Sequence, residues 1–443
     1  MKIEPSALLW IASGAPWRWA RMRDDGSPAH YIHSRFQRHD WRRNGRLAHV
    51  FRRGGFVVGM PVVLGLVGVC TARNGARVRR EGGKGLLQQA REQVALWLGQ
   101  GILPLSYYIF DLHRGDGPTA ALDYLYRYET KQGIYPILRT RFSSAETTEA
   151  LRNKALFAQR CTEHGVPAVR ALFTVEAGRL TRLDADEPGL PRCDLFLKPL
   201  SGSGGRGAEV WTHAGEGQYR NAIAGVKSEA ELMAHLVALS EQQGAYVGRL
   251  YVRNHPLLEE ISPGALSSVR VVTCLDEAGR PEVTHAVLRM ARTPGTVVDN
   301  FHAGGIAASV ALDSGVVGKA TDTGLSRHSQ WWTTHPTNGA AILGRRLPMW
   351  EQVLDVARRA HSAFADQVVV GWDVAVLHDG PQLIEGNKGP DLDIVQRTSG
   401  APVGNSRLGA LIAYHLRRAL GEEQNPAASS AGHLETASAG MHD

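Results

Sequence analysis

The sequence predicts an α+β fold of small subdomains behind a basic, helical N-terminal region. Three observations carry that reading. Residues 368–388 have the pattern of a β-hairpin: a β-branched run, a turn at His378-Asp379-Gly380-Pro381, and an alternating return strand. Residues 195–211 form a second strand–loop–strand unit, with an almost bare loop of glycine and serine. Around them, segments such as Leu86–Leu98 and Pro348–Ala365 repeat apolar residues at helical spacing. At 443 residues the chain exceeds one ordinary core, so two or three subdomains are expected.

Composition narrows the function classes. A hydrophobic content of 43% excludes a disordered chain. Cys70, Cys161, Cys193 and Cys274 lie far apart, without C-x-x-C or zinc spacing, so reduced thiols in a cytoplasmic protein are expected. Met1–Ala20 lacks an apolar core with a cleavage site, so no secretory leader is expected. The net charge of +7 is uneven: residues 1–100 hold 17 Lys+Arg against 6 Asp+Glu, and the remainder 33 against 37. Residues 1–80 could therefore meet a membrane or a polyanion, or simply solvent; nucleic acid is the least favoured partner.

The elements follow in order. Residues 1–82 form a basic, Trp-rich region; over 1–55, with Trp10, Trp17, Trp19 and Trp41 among arginines, an irregular helical cap is expected. Within the region 56–72 is uncharged and apolar, at the lower length limit of a spanning helix. Pro61 and three glycines weaken it as a helix. A buried helix is favoured there, with membrane association as the alternative. Residues 83–150 read as a helical subdomain, in which Leu86–Leu98 ends at Gly101-Ile102-Leu103-Pro104. Residues 151–420 form the main domain. It opens with a helix around Asn153–Cys161 that stops at Gly165.

Leu195–Leu200 is a strand, followed at once by Ser201-Gly202-Ser203-Gly204-Gly205-Arg206-Gly207. Backbone N–H groups in such a loop can close on phosphate oxygens unobstructed by side chains. The loop is not a Walker A element, because G-K-[ST] and the following helix are both missing. Lys227–Gln243 is a helix and Ala245–Val247 a short strand. Arg270 and Arg289 sit inside two β-branched, mutually paired runs, where a cation is costly unless paired. Pairing with surface carboxylates is one reading of them. The loop-rich stretch Trp331–Pro348 could shape an acceptor pocket, Leu408–Leu420 closes the fold, and 421–443 reads as a disordered tail.

The hairpin carries the chemistry. Strand side chains alternate, so Glu385 and Asn387 share a face, and the turn brings Asp373 back across from them. Two carboxylates and an amide oxygen are hard ligands of the kind that suits Mg²⁺, which completes its shell with water and substrate phosphates. Two exposed acids on an ordinary hairpin are the plainer alternative.

With these residues in hand, G-W-D-x-A followed by L-I-E-G-N resembles the metal-binding end of the ATP-grasp fold. More closely it is similar to the sugar-transfer associated ATP-grasp family, related to glutamate-ligase-type enzymes. The loop motif K-P-x-S-G-S-G-G-R-G, the Asp299-Asn300-Phe301-His302-Ala303-Gly304-Gly305 element, and Tyr128-Glu129-Thr130-Lys131 with Tyr135-Pro136 look like the same family. The resemblance covers roughly Gly83–Leu420. It implies two small α+β subdomains clamping ATP, with one or two Mg²⁺ held by Asp373, Glu385 and Asn387. It further implies Lys154 and Lys198 on the phosphates, with the loop Ser201, Gly202, Ser203, Gly204, Gly205 and Arg206 over them. Arg270, Arg289 and Asn300 would face the reacting groups, and Asp299 and His302 would lie nearby.

The implied activity is an ADP-forming carboxylate–amine ligase working through an acyl-phosphate, on a glycan or small-molecule carboxylate and an amine. A phosphotransferase acting on a sugar and a membrane-associated nucleotide-binding scaffold are the alternatives. Where the family pattern leads to expect Gln-Glu at the nucleotide hinge, this chain reads Val247-Gly248-Arg249-Leu250.

Overall fold

The computed structural model describes residues 25–183, 189–200, 207–262, 264–293 and 299–422. The Trp-rich stretch before residue 25, the loop residues Ser201 to Arg206 and the tail from residue 423 lie outside the described residues.

Where an irregular cap was expected, the chain forms one long helix, α1 (Pro28–Gly82, 55 residues). The Ser27 side chain accepts the His30 N–H, Pro28 occupies the first turn, and Gly83 ends the helix at φ 75°. Pro61 and the neighbouring glycines do not break it. A second helix, α2 (Leu86–Gln100), runs back along it and packs Ala90, Val94 and Trp97 on Val63 and Val67. Tertiary packing here outweighs weak helix propensity. The expectation of a buried helix at 56–72 holds for one face only, since Val62, Leu64 and Val69 are exposed. Among the described residues no helix is long and apolar enough to cross a membrane.

A short helix, α3 (Pro104–Ile109), buries Tyr107 and Tyr108. A π-helical turn, Thr130–Ile134, then leads into α4 (Tyr135–Phe142). Buried Glu129 bonds His33 at 2.7 Å, tying this turn to α1.

Among the described residues, the strands that follow form two seven-stranded antiparallel sheets. Helix α5 (Lys154–Glu163), capped by Asn153, leads to the first sheet. That sheet contains β1 (Ala171–Glu176), β2 (Arg179–Arg182), β3 (Leu195–Pro199), β4 (Glu209–Gly215), β5 (Gln218–Asn221), β6 (Gly225–Ser228) and β7 (Tyr246–Leu250). Its strand order is β2-β1-β7-β3-β4-β5-β6. Helix α6 (Glu229–Gln243), opened by a Ser228/Glu231 capping box, covers it through Leu232 and Leu236 on Phe173, Trp211 and Tyr219. The predicted short strand at 245–247 is thus a central strand that runs on to Leu250. Gly248 is required there: a β-carbon would lie 2.2 Å from the Phe173 ring.

The second sheet contains β8 (Ser268–Leu275), β9 (Pro281–Met290), β10 (Ile306–Val310), β11 (Val317–Thr321), β12 (Trp331–Trp332), β13 (Val369–Leu377) and β14 (Gly380–Asn387). Its order is β12-β11-β10-β9-β8-β13-β14. Helix α7 (Trp350–Ala363) packs on one face, against Val269, Val271, Trp372 and Val374. Helices α8 (Leu392–Ser399) and α9 (Arg407–Leu420) cover the other, with Val272, Cys274 and Val369. Burial on both faces explains why β8 and β13 read as continuous β-branched runs.

Candidate active site

The acidic hairpin forms, with Leu377 paired to Gly380 across its turn. Asp373 pairs with Glu385 and Gly371 with Asn387 across β13 and β14, and the ladder is irregular just after Asp373. Such a bulge re-aims side chains at a strand end. On the other side of β13, Asp373 pairs with Arg270 of β8. Its carboxylate accepts Arg270 Nε at Oδ1 and Arg270 Nη2 at Oδ2, the latter at 2.9 Å. Arg289 Nη1 donates to the same Oδ2 at 3.1 Å. Arg289 also donates to Asp299 at 2.7 Å, and Asp299 accepts the Ser268 N–H at 2.9 Å. The result is an alternating chain, Arg270–Asp373–Arg289–Asp299. Burial pushes the Asp373 carboxyl up, but the Arg270 and Arg289 guanidinium groups outweigh it and hold it below the usual carboxylate range. Burial likewise disfavours the Arg289 charge, and Asp299 and Asp373 reverse that effect. The arginines are therefore carboxylate-paired, as one reading of the sequence had it, yet buried and on the hairpin acid itself rather than at the surface.

Opposite the hairpin stand three cations. Lys198 on β3 lies 3.7 Å from Glu385. Lys154, at the start of α5, donates to the Leu200 carbonyl at 2.9 Å. Arg249, at the end of β7, is 2% exposed and donates to the Ile384 carbonyl at 2.7 Å and to the Lys154 carbonyl at 3.4 Å. It thereby ties the first sheet to the hairpin. Burial, then Arg249 and Lys154, push Lys198 down to about 7 against the pull of Glu385. Burial and Arg249 lower Lys154 as well.

These groups line one cavity of about 890 Å³ between the sheets. Its apolar wall is Phe196, Leu250, Tyr251, Val252, Leu266 and Ile384. Asn300 lines it too, bonding the His302 N–H at 3.1 Å through its own side chain. A further group of lining residues centres on Asp391. Its Oδ1 lies 2.9 Å from Arg127 and 3.1 Å from Lys131, and its Oδ2 lies 3.6 Å from His302. All the predicted residues that the structure describes converge here: Lys154, Lys198, Arg270, Arg289, Asn300, Asp373, Glu385 and Asn387. Ser201, Gly202, Ser203, Gly204, Gly205 and Arg206 lie outside the described residues, between the cavity residues Pro199 and Gly207.

Sequence reasoning gave no role to Arg249, Arg127, Lys131 or Asp391. A cation inside an apolar strand was the available signal for Arg249. Arg127 and Asp391 are 264 positions apart and meet only through packing.

The donor set fits Mg²⁺ in kind. Glu385 is partly open to the cavity. Asn387 donates its amide N–H groups to Gly371 and Glu385 at 3.4 Å, and among the described residues its Oδ1 accepts no bond. Asp373 Oδ2 already accepts two guanidinium N–H groups, while Oδ1 accepts one and keeps further lone-pair capacity. Among the described residues no cluster of three or more His, Cys, Asp or Glu side chains forms an all-protein metal cage. A few oxygen donors beside a phosphate-sized space are the usual arrangement for Mg²⁺.

The model of the sugar-transfer associated ATP-grasp family matches residues 138–407. No curated protein matches the sequence. Similar solved structures include the L-amino acid ligase of Bacillus licheniformis, at 12% identity and a TM-score of 0.34, covering 61% of this chain and 49% of that one. The D-alanine–D-alanine ligase of Bacillus anthracis shows 14% identity and a TM-score of 0.37, covering 63% of this chain and 72% of that one. The biotin carboxylase of Campylobacter jejuni shows 15% identity and a TM-score of 0.37, covering 63% and 48%. The chain thus spans about half the length of the first and third. The family match takes in more than half of the chain, both sheets and the cavity lining apart from Arg127 and Lys131, and the chain belongs to the sugar-transfer associated ATP-grasp family.

Proposed function

We propose that the protein is an ATP-dependent carboxylate–amine ligase that works through an acyl-phosphate. The observation that carries this reading is the cavity itself. Lys154, Lys198 and Arg249 stand on one side, and the Asp373–Glu385–Asn387 hairpin with its paired arginines on the other. In that setting a substrate carboxylate oxygen attacks the γ-phosphorus of ATP and ADP leaves. An amine nitrogen then attacks the acyl carbon, phosphate departs, and the nitrogen loses a proton. The phosphoryl step calls for positioning and charge stabilisation, with no protein nucleophile.

Lys154 and Lys198 hold the phosphates. The apolar wall from Phe196 to Leu266 offers the base a dry slot. Arg289, anchored by Asp299, presents positive charge to the transferring group without needing to reorganise. Asp373, Glu385 and Asn387 would hold Mg²⁺, which when bound neutralises phosphate charge. The family's name supports a glycan or glycan precursor as one substrate, for instance a uronic acid joined to an amino acid. The test is ATP turnover with Mg²⁺ across paired uronic acids and amines. ADP and phosphate release that needs one acid and one amine together supports the ligase. A phosphorylated sugar without an amide would move the reading to a phosphotransferase.

A further inference from the structure

Among the described residues, no element covers the outer face of α1 between Pro61 and Ala72. From Pro61 to Ala72 the helix runs about 18 Å. One side is sealed by α2, through Val63 and Val67 against Trp97. On the other, Pro61, Val62, Leu64, Gly65, Gly68 and Val69 are all exposed, and none is polar. Val62, Leu64 and Val69 are 41%, 48% and 55% exposed, so the face is open rather than grooved. A β-carbon on Gly65 or Gly68 would meet nothing within 4 Å. The only hydroxyl of the stretch, on Thr71, points inward and accepts a bond from Gln93. Solvent-facing helix surface is ordinarily polar, so three turns without a polar group mark a surface that meets something.

The charge around the patch identifies what. Exposed Arg73, Arg79 and Arg80 follow it on the same helix, and Arg52 and Arg53 precede it in sequence. No acidic residue occurs between Trp41 and Arg80. A second copy of this chain would bring the same basic flanks into register and repel them. An anionic lipid surface takes both parts, apolar side chains at the acyl boundary and arginines at the headgroups. We propose that α1 is an interfacial anchor which lies on an anionic membrane through Val62, Leu64 and Val69. The helix lies on the surface without crossing it, in keeping with its limited apolar length. This inference is independent of the reaction proposed above.

The test is flotation of the full-length protein with vesicles of phosphatidylcholine alone and of equimolar phosphatidylcholine and phosphatidylglycerol. Binding is expected only to the anionic vesicles. The double variant Val62→Glu/Val69→Glu should lower it at least about tenfold. Arg79→Gln/Arg80→Gln should lower it about thirtyfold. Both variants change exposed positions, so both should melt with the parent protein. Three results would each overturn the proposal: no binding of the parent to anionic vesicles, binding that survives the paired glutamates, or a parent dimer in light scattering that Val69→Glu dissociates.

Discussion

Lys198 sits buried beside Arg249 and Lys154, which with burial outweigh the pull of Glu385 and Asp373 and hold its ammonium down to about 7 in the free protein. A bound triphosphate adds negative charge beside it and restores the ordinary value, so nucleotide binding must take up a proton. The uptake is set by the fraction deprotonated beforehand: about 0.1 proton at pH 6, about 0.5 at pH 7 and about 0.9 at pH 8. Isothermal titration of a non-hydrolysable ATP analogue in two buffers of different ionisation enthalpy reads this directly. At pH 8 the phosphates are fully ionised, so their own protonation contributes little. The binding heat should differ between the buffers at pH 8 and nearly coincide at pH 6, and affinity should fall as pH rises above 7. In Lys198→Met the difference should shrink, leaving only what Lys154 contributes. Equal heats in both buffers at pH 8 would refute the reasoning. The same shift makes a stability prediction. A lysine depressed on folding leaves the unfolded chain holding more protons between about pH 7 and pH 10.5. Its destabilising effect is therefore full below pH 7 and fades as pH rises through that window. Lys198→Met should raise Tm more at pH 6 than at pH 9 while abolishing turnover.

Other perturbations separate structure from chemistry. Asp373→Asn leaves Arg270 and Arg289 buried without their shared carboxylate, and should cost about 3–5 kcal/mol in denaturant unfolding as well as all turnover. Glu385→Gln removes a partly exposed carboxylate 3.7 Å from Lys198, so its cost in unfolding should be smaller than that of Asp373→Asn while its turnover is lost. Trp372→Ala, which removes the buried ring packed against both Phe157 and Phe364, should cost about 3–5 kcal/mol. Asp299→Ala frees Arg289 from its anchor; kcat should fall while nucleotide affinity, read by the same titration, holds.

The residues that were legible are those that local pattern places. Alternation puts Glu385 and Asn387 on one face and the turn brings Asp373 back near them, but a two-residue turn alone would set Asp373 opposite Ile384; the irregularity after Asp373, which no local pattern encodes, moves it opposite Glu385. Lys198 was found because it directly precedes a loop bare of side chains. The long helix through Pro61 was misjudged, because propensity counts the proline and glycines while the stabilising contact comes from α2. Arg249 looked like a departure from the expected hinge. It is a buried staple whose partners, Ile384 and Lys154, lie 135 and 95 positions away. The pairing of Arg270 with Asp373 is likewise a register fact of β8 beside β13. The Arg127, Lys131 and Asp391 group depends on how the helical unit docks against the second sheet, which no local pattern encodes.

The central claim is that ATP activates a carboxylate as an acyl-phosphate in the cavity between the sheets. Hydroxylamine tests it without knowledge of the natural amine, because it intercepts an acyl-phosphate as a hydroxamate. The protein would be incubated with ATP, Mg²⁺, hydroxylamine and each of a panel of uronic acids. The account predicts a hydroxamate from at least one acid, with one ADP and one phosphate released per hydroxamate, and neither from Glu385→Gln. Release of AMP and pyrophosphate, or a phosphorylated sugar with no hydroxamate, would contradict it.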